Sequence, residues 1–91
     1  MSQEITIQLT ASERELLHKF GYPFENIEKQ LKHSERVKGD VEITDEAYWW
    51  EQVVGQLSIS AKEQFNKGNL CESICYLTDE IEFNLSLHRN R

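Results

Sequence analysis

Hydrophobic residues recur with two different periods along this chain, and the period distinguishes strands from helices. Residues 5–9 and 41–43 alternate apolar with polar side chains, which predicts two short strands that each bury one face. Elsewhere the apolar residues recur every three or four positions, which predicts helices. The predicted order is strand, helix, helix, strand, helix, helix. This is a mostly helical α+β fold with a small two-stranded sheet, in a single domain over residues 1–91.

Capping residues mark the limits of the first two helices. Thr10 and Glu13 have the spacing of a capping box, in which each side chain bonds the backbone N–H of the other residue. Gly21 is expected to end the first helix. Pro23 is expected in the first turn of the second, where its missing N–H costs nothing.

A second set of capping residues marks the third and fourth helices. Thr44 is expected to cap the third helix, with Asp45 and Glu46 in its first turn, where acids oppose the positive end of the helix dipole. Gly68 is expected to end the third helix, and Asn69 to cap the fourth.

The first three helices each carry an apolar stripe, so we expect them to share one core. Trp49 lies at the margin of the stripe on the third helix, and Tyr48 lies on the opposite side with Ile59. The residues expected in the core are Leu16, Leu17, Phe20, Phe24, Ile27, Leu31, Ala47, Trp50, Val53, Val54, Leu57, Ala61 and Phe65.

The fourth helix is apolar on two sides. Tyr76, Phe83 and Leu87 lie well over about 90° around the helix from its main stripe, so one core cannot bury both groups. The second group needs a cover: another helix of the chain, a second copy, or a partner protein. The main stripe consists of Leu70, Ile74, Leu77, Ile81 and Leu85.

The two strands could lie side by side with the helices over one face. A sheet of two strands is marginal alone, and its free edges could pair with another copy or a partner. In an alternative layout, residues 36–38 fold back onto residues 41–43 as a hairpin.

The net charge of −6 is unevenly distributed. Residues 10–38 hold six Lys and Arg against five Glu, a net of +1, whereas residues 39–87 hold ten acids against two Lys, a net of −8. Such a field disfavours nucleic acid, because binding to phosphates needs cations. It favours a basic protein partner.

Neither a membrane segment nor a leader is apparent, since no run approaches about 20 apolar residues. Cys71 and Cys75 lie one helical turn apart, which is unlike a secreted disulfide framework. We therefore expect a cytoplasmic protein that does not bind membranes.

Candidate chemistry is sparse. The two cysteines lack a matching histidine pair for a zinc site, which needs four ligands. Asp79, Glu80 and Glu82 are close in sequence, but a helix spreads them around its surface, and there is no glycine-rich phosphate loop. We expect no metal, no cofactor and no enzymatic activity. The cations between Lys29 and Lys38 could hold an acidic surface or form a solvated helix end.

These patterns favour a non-enzymatic, acidic protein-binding module, similar in role to an inhibitor, immunity protein or antitoxin. One alternative is a homodimeric structural or regulatory protein that uses the same helix face, and a second is an enzyme or small-ligand binder with an unrecognised site. The expected partner-binding residues are Tyr76, Phe83, Leu87, Tyr48, Glu72, Asp79 and Glu80.

Overall fold

The elements of the protein follow the predicted order. The computed structural model describes the backbone of residues 4–89 and the side chains of residues 4–88. The elements are β1 (Glu4–Leu9), α1 (Ala11–Phe20), α2 (Glu25–His33), β2 (Val41–Glu46), α3 (Ala47–Asn66) and α4 (Glu72–Arg89). The prediction of a mostly helical α+β fold is confirmed. None of the helices within the described range has the length and apolar character needed to cross a membrane.

The two strands pair with each other in antiparallel orientation. Ile7 lies opposite Ile43, and Leu9 lies opposite Val41. Alternation along β1 buries every second side chain against the helices and leaves the others exposed. The alternative hairpin is wrong, because residues 36–38 form no strand and β2 pairs with β1 instead.

One core joins the buried sheet face to all four helices. Trp50 is fully buried, and its indole Nε1 donates to the Ile5 carbonyl at 3.0 Å, which ties α3 to β1. Trp49 is half-buried against the core. The buried apolar residues are Ile5, Ile7, Leu9, Leu17, Ile27, Leu31, Ile43, Trp50, Val53, Leu57, Ile74, Leu77, Ile81 and Leu85.

Helix α1 begins as predicted. The Glu13 N–H donates to the Thr10 hydroxyl oxygen at 3.2 Å, and the Thr10 N–H donates to Glu13 Oε1 at 2.8 Å, which completes the capping box. At its other end Gly21 is required for space, because a Cβ there would lie 2.8 Å from the Leu17 carbonyl oxygen. The left-handed conformation falls on the next residue, Tyr22, with φ of 45°.

The start of α2 differs from the prediction. Pro23 precedes the helix instead of occupying its first turn, and Phe24 is the N-cap residue. In that position the Phe24 ring is exposed, so its expected place in the core is wrong. The 3.6-residue period does not apply to a side chain outside the helix.

The predicted N-cap of α3 is also wrong. Thr44 lies in β2, where its hydroxyl is 2.7 Å from that of Thr6. The helix begins at Ala47, with Glu46 as its N-cap. Asp45 is therefore buried in the strand; its Oδ1 accepts from the Glu46 N–H at 2.8 Å, while Oδ2 has no hydrogen-bond partner among the described residues. Pairing with β1 extends the strand beyond the point where local signals predict a helix.

The turn between α3 and α4 contains further corrections. Gly68 follows the end of α3 as predicted: the last helical residue is Asn66, and Gly68 takes the left-handed conformation, with φ of 80°. Asn69 does not cap α4, since its side-chain amide donates to Gln64 Oε1 at 2.9 Å and the helix begins at Glu72. Leu70, expected in the buried stripe, precedes the helix and is 89% exposed.

Phe65, expected in the core, is also exposed, because it lies in the last turn of α3 beyond the packed region.

Arg14 is a buried charge that the periodic pattern did not indicate. Its guanidinium donates to the carbonyl oxygens of Leu9 and Gly39, each at 2.9 Å, and to two more in the segment after α2, those of Ser34 and Val37. This side chain joins β1 to the connection between α2 and β2.

Candidate partner-binding surface of the C-terminal helix

Helix α4 has a buried face and an exposed apolar face, as its sequence predicts. Ile74, Leu77, Ile81 and Leu85 are buried in the core. On the other side, Tyr76 is 72% exposed, Phe83 63% and Leu87 52%. No other element within the described residues covers these three side chains, which we call the outer stripe of α4.

The outer stripe is a straight row along the helix. Tyr76 and Phe83 are separated by seven residues, and Phe83 and Leu87 by four, so all three point within about 40° of one another. The row extends over about 16 Å at the helical rise of about 1.5 Å per residue. This length and spacing suit the contact of one helix face with a groove on another protein.

Acidic side chains adjoin the outer stripe. At about 100° per residue, Glu72 and Asp79 lie within about 40° of Phe83 on one side of the row, and Glu80 lies beyond Leu87 on the other. Glu72 and Asp79 are exposed. The structure therefore brings six of the seven predicted residues onto one side of α4: Glu72, Tyr76, Asp79, Glu80, Phe83 and Leu87.

Glu80 is less available than the other two acids, because it is half-buried beside α1. A hydrogen bond with the Glu13 carboxyl, followed by burial and the negative charges of Glu13 and Asp40, raises the pKa of Glu80 to about 7. Burial acts to raise the pKa of Glu13 as well, but hydrogen bonds with Glu80 and Thr10 outweigh it and lower that pKa. The two carboxyls share a proton near neutral pH, so Glu80 contributes only part of a charge to the surface.

Tyr48, the seventh predicted residue, belongs to a separate aromatic cluster. Its ring lies 4.8 Å from that of Trp49, edge to face, and the Trp49 ring lies 4.8 Å from that of Phe24. Tyr48 and Phe24 are each more than half exposed. Among the described residues, the ring of Tyr48 contacts that of Trp49 and neither Tyr76 nor Phe83.

Phe24 was expected in the core, and the sequence did not predict its exposed position in this cluster. The aromatic run at 48–50 is visible in the sequence, but its contact with the start of α2 depends on how the helices pack. No local signal pairs positions 24 and 49.

The cysteines show no activated chemistry. Cys71 and Cys75 are free thiols, one half-buried and one exposed. Partial desolvation, the neighbouring Cys71 thiol and the acids Asp79 and Glu72 together raise the pKa of Cys75, which disfavours its thiolate form. Within the described residues, no three His, Cys, Asp or Glu side chains are grouped so that they could hold a metal ion.

A groove of about 460 Å³ lies between α1 and α2, lined by Arg14, His18 and Lys32 among others. These three basic side chains already lie near acceptors of the protein itself. His18 Nδ1 is 3.4 Å and Lys32 Nζ 3.8 Å from Glu28 Oε1, and the terminal nitrogens of Arg14 donate to four backbone carbonyls. The groove therefore gives no specific indication of an anion-binding site.

Comparison with known proteins gives no further indication of the role of the outer stripe of α4. No protein-family model, no curated protein and no solved structure matches this chain.

Proposed function

We propose that this protein is a non-enzymatic binding module that docks the outer stripe of α4 on a basic protein. The observation that carries the proposal is the exposure of Tyr76, Phe83 and Leu87 in one row on a helix whose opposite face is buried. An amphipathic helix commonly binds a groove through apolar residues spaced by three, four or seven positions. Burial of these side chains on a partner would supply the affinity, with Tyr76 and Phe83 as anchors.

Charge favours a basic partner. Residues 39–87 carry a net charge of −8, from ten acids and two lysines. Glu72 and Asp79 adjoin the stripe and would attract a cationic surface during encounter. By covering such a surface, the module would act through occlusion, as an inhibitor, immunity protein or antitoxin does.

The same charges disfavour a second copy at this site. Asp79 lies near the middle of the stripe, so a two-fold axis across the helix there would bring the Asp79 carboxylates of the two copies towards each other. Like charges that meet in an interface oppose association. We also propose that the protein acts in the cytoplasm, which is consistent with its two free cysteines.

The test compares two variants in a capture experiment. Phe83→Asp places a charge in the outer stripe, and Ile59→Asp makes the same change at an exposed apolar position on α3. Wild type and variants are immobilised, a lysate from the source cell is applied, and each retained protein is identified, purified and titrated by calorimetry. Circular dichroism confirms that both variants are folded.

We expect a basic protein whose affinity falls at least about 30-fold with Phe83→Asp, as for a central anchor. Ile59→Asp should bind like the wild type, and added salt should weaken binding. Retention of the same proteins by wild type and Phe83→Asp would contradict the proposal. So would a wild-type dimer that Phe83→Asp converts to a folded monomer, because the stripe would then serve self-association.

A further inference from the structure

Among the described residues, the two outer edges of the sheet differ in their hydrogen bonds to side chains. Gln30 of α2 bonds the outer edge of β2 at Thr44: its Nε2 donates to the Thr44 carbonyl at 2.7 Å, and its Oε1 accepts from the Thr44 N–H at 2.9 Å. At this residue the side chain makes the two contacts that a third strand would make. Among the described residues no side chain makes the equivalent contacts with the edge of β1.

The strand register identifies the backbone groups on the open edge. Thr6 lies opposite Thr44. Since both backbone groups of Thr44 turn towards Gln30, this is a non-hydrogen-bonded pair, and the 2.7 Å separation of the two hydroxyl oxygens agrees with that arrangement. The N–H and C=O groups of Thr6 therefore point away from β2. By the same alternation, so do those of Glu4 and Gln8.

Strand β1 carries little of the usual protection of an edge, with Glu4 as the one charge among its exposed side chains. Natural edge strands are commonly interrupted by proline, lysine or a bulge, which prevents pairing with other chains. The sequence of β1, Glu-Ile-Thr-Ile-Gln-Leu, contains none of these, and its alternation of exposed and buried residues is regular over all six positions. The edge is thus suitable for the addition of another strand.

We propose that β1 pairs antiparallel with β1 of a second copy about a two-fold axis at Thr6, forming a four-stranded sheet in the order β2, β1, β1, β2. Thr6 would face Thr6 of the second copy, and Glu4 would face Gln8 of the second copy. These three pairs use all the outward N–H and C=O groups of the strand. A shift of the register by two residues would use fewer of them.

The side chains of the strand favour a second copy over an unrelated strand. In this register a carboxylate faces an amide and a hydroxyl faces a hydroxyl, so no like charges meet between the two β1 strands. In the same register, Ile5 would lie opposite Ile7 of the second copy. The outer stripe of α4 plays no part in this contact, so the inference is independent of the proposed function.

The test begins with sedimentation equilibrium of the wild type, Thr6→Pro and Thr6→Val. Proline removes an N–H that β1 does not use within its own molecule, whereas valine retains it. We expect a wild-type dimer, a Thr6→Val dimer, and an association constant at least about 30-fold lower for Thr6→Pro, which loses two hydrogen bonds per dimer. A folded Thr6→Pro variant that dimerises like the wild type would overturn the proposal, as would a wild type that stays monomeric at millimolar concentration.

A second measurement on the wild type is decisive even if Thr6→Pro does not fold. In a mixed sample of isotope-labelled and unlabelled protein, the register predicts a nuclear Overhauser effect between the α-protons of Ile5 and of Ile7 in the other copy. The Thr6 and Gln8 amides should exchange with solvent more slowly as concentration rises. A dimer without that contact, or one abolished by Phe83→Asp, would refute pairing through β1.

Discussion

At the scale of single residues, Arg14 has the most demanding position in the protein. The residue is only 5% exposed, and its guanidinium donates to four backbone carbonyls instead of a carboxylate. Lysine cannot reproduce these contacts, because its ammonium is a compact donor without the planar fork. The geometry therefore makes arginine, and not positive charge alone, the requirement at position 14.

We expect Arg14→Met to lower the free energy of unfolding by about 2–4 kcal/mol, since it leaves buried carbonyls without donors. Arg14→Lys should fall between Arg14→Met and the wild type. Urea denaturation measures both changes, and Arg36→Met, at an exposed arginine, is the matched control. A loss from Arg14→Met no greater than that of the control would show that the four contacts contribute nothing.

Glu80 predicts how stability depends on pH. Its pKa rises from 4.5 to about 7 on folding, chiefly through the hydrogen bond with Glu13, so the folded protein binds the proton more tightly than the unfolded chain. This contribution to stability is fully present below about pH 4.5 and is lost as the pH rises through about 7. We expect Glu80→Gln to be more stable than the wild type above about pH 7. Between about pH 4.5 and 7, the free energy of unfolding should fall less steeply with pH for Glu80→Gln than for the wild type.

Chemical denaturation at several pH values across the window tests the Glu80 prediction. Glu82→Gln, at an exposed acid of the same helix, should leave the decline unchanged. The Glu13 carboxyl changes stability with pH in the opposite direction. Folding lowers its pKa, so its contribution to stability is present above the pKa of the unfolded chain and is lost as the pH falls. Equal slopes for the wild type and Glu80→Gln would exclude a shared proton.

At the scale of elements, α4 separates stability from surface function. Leu85 is 4% exposed and Phe83 is 63% exposed, although they are two residues apart. We expect Phe83→Ala to change the free energy of unfolding by no more than about 0.5 kcal/mol, as at other surface sites. Leu85→Ala should cost about 2–5 kcal/mol through the cavity it creates. Thermal and urea unfolding compare the two, and similar losses would mean that the outer stripe is structural.

The contact between α2 and β2 gives a second prediction at this scale. Gln30→Ala removes both hydrogen bonds to the Thr44 backbone, so we expect a loss of about 1–2 kcal/mol in urea unfolding. It would also open the second sheet edge and increase aggregation. Lys29→Ala, at the exposed neighbouring position, should have little effect on either.

At the scale of the whole molecule, the two proposed contacts respond to salt with opposite sign. Two copies of a chain with net charge −6 repel each other, so screening should strengthen pairing through β1. A basic partner is attracted by the same charge, so screening should weaken its binding to α4. Sedimentation and calorimetry over a range of salt concentrations measure the two effects. A salt response of the same sign for both would contradict one of the two assignments.

The order of the elements and the two-sided character of α4 were determined by the sequence itself, because both follow from side-chain periodicity within one segment. The capping box at Thr10 was predictable for the same reason, since its two residues are three positions apart. Tyr76, Phe83 and Leu87 were likewise placed on one side of α4 by helical spacing alone.

Only the tertiary structure decided the features that join distant segments. Pairing with β1 continued β2 through Thr44 and displaced the expected helix start, because ladder contacts outweighed a local cap. Leu70 and Phe65 fit the apolar period but lie beyond the packed region, so they are exposed. The carbonyl contacts of Arg14, the hydrogen bond between Glu13 and Glu80, and the bonds of Gln30 to Thr44 each join residues of different elements, which local spacing cannot bring together.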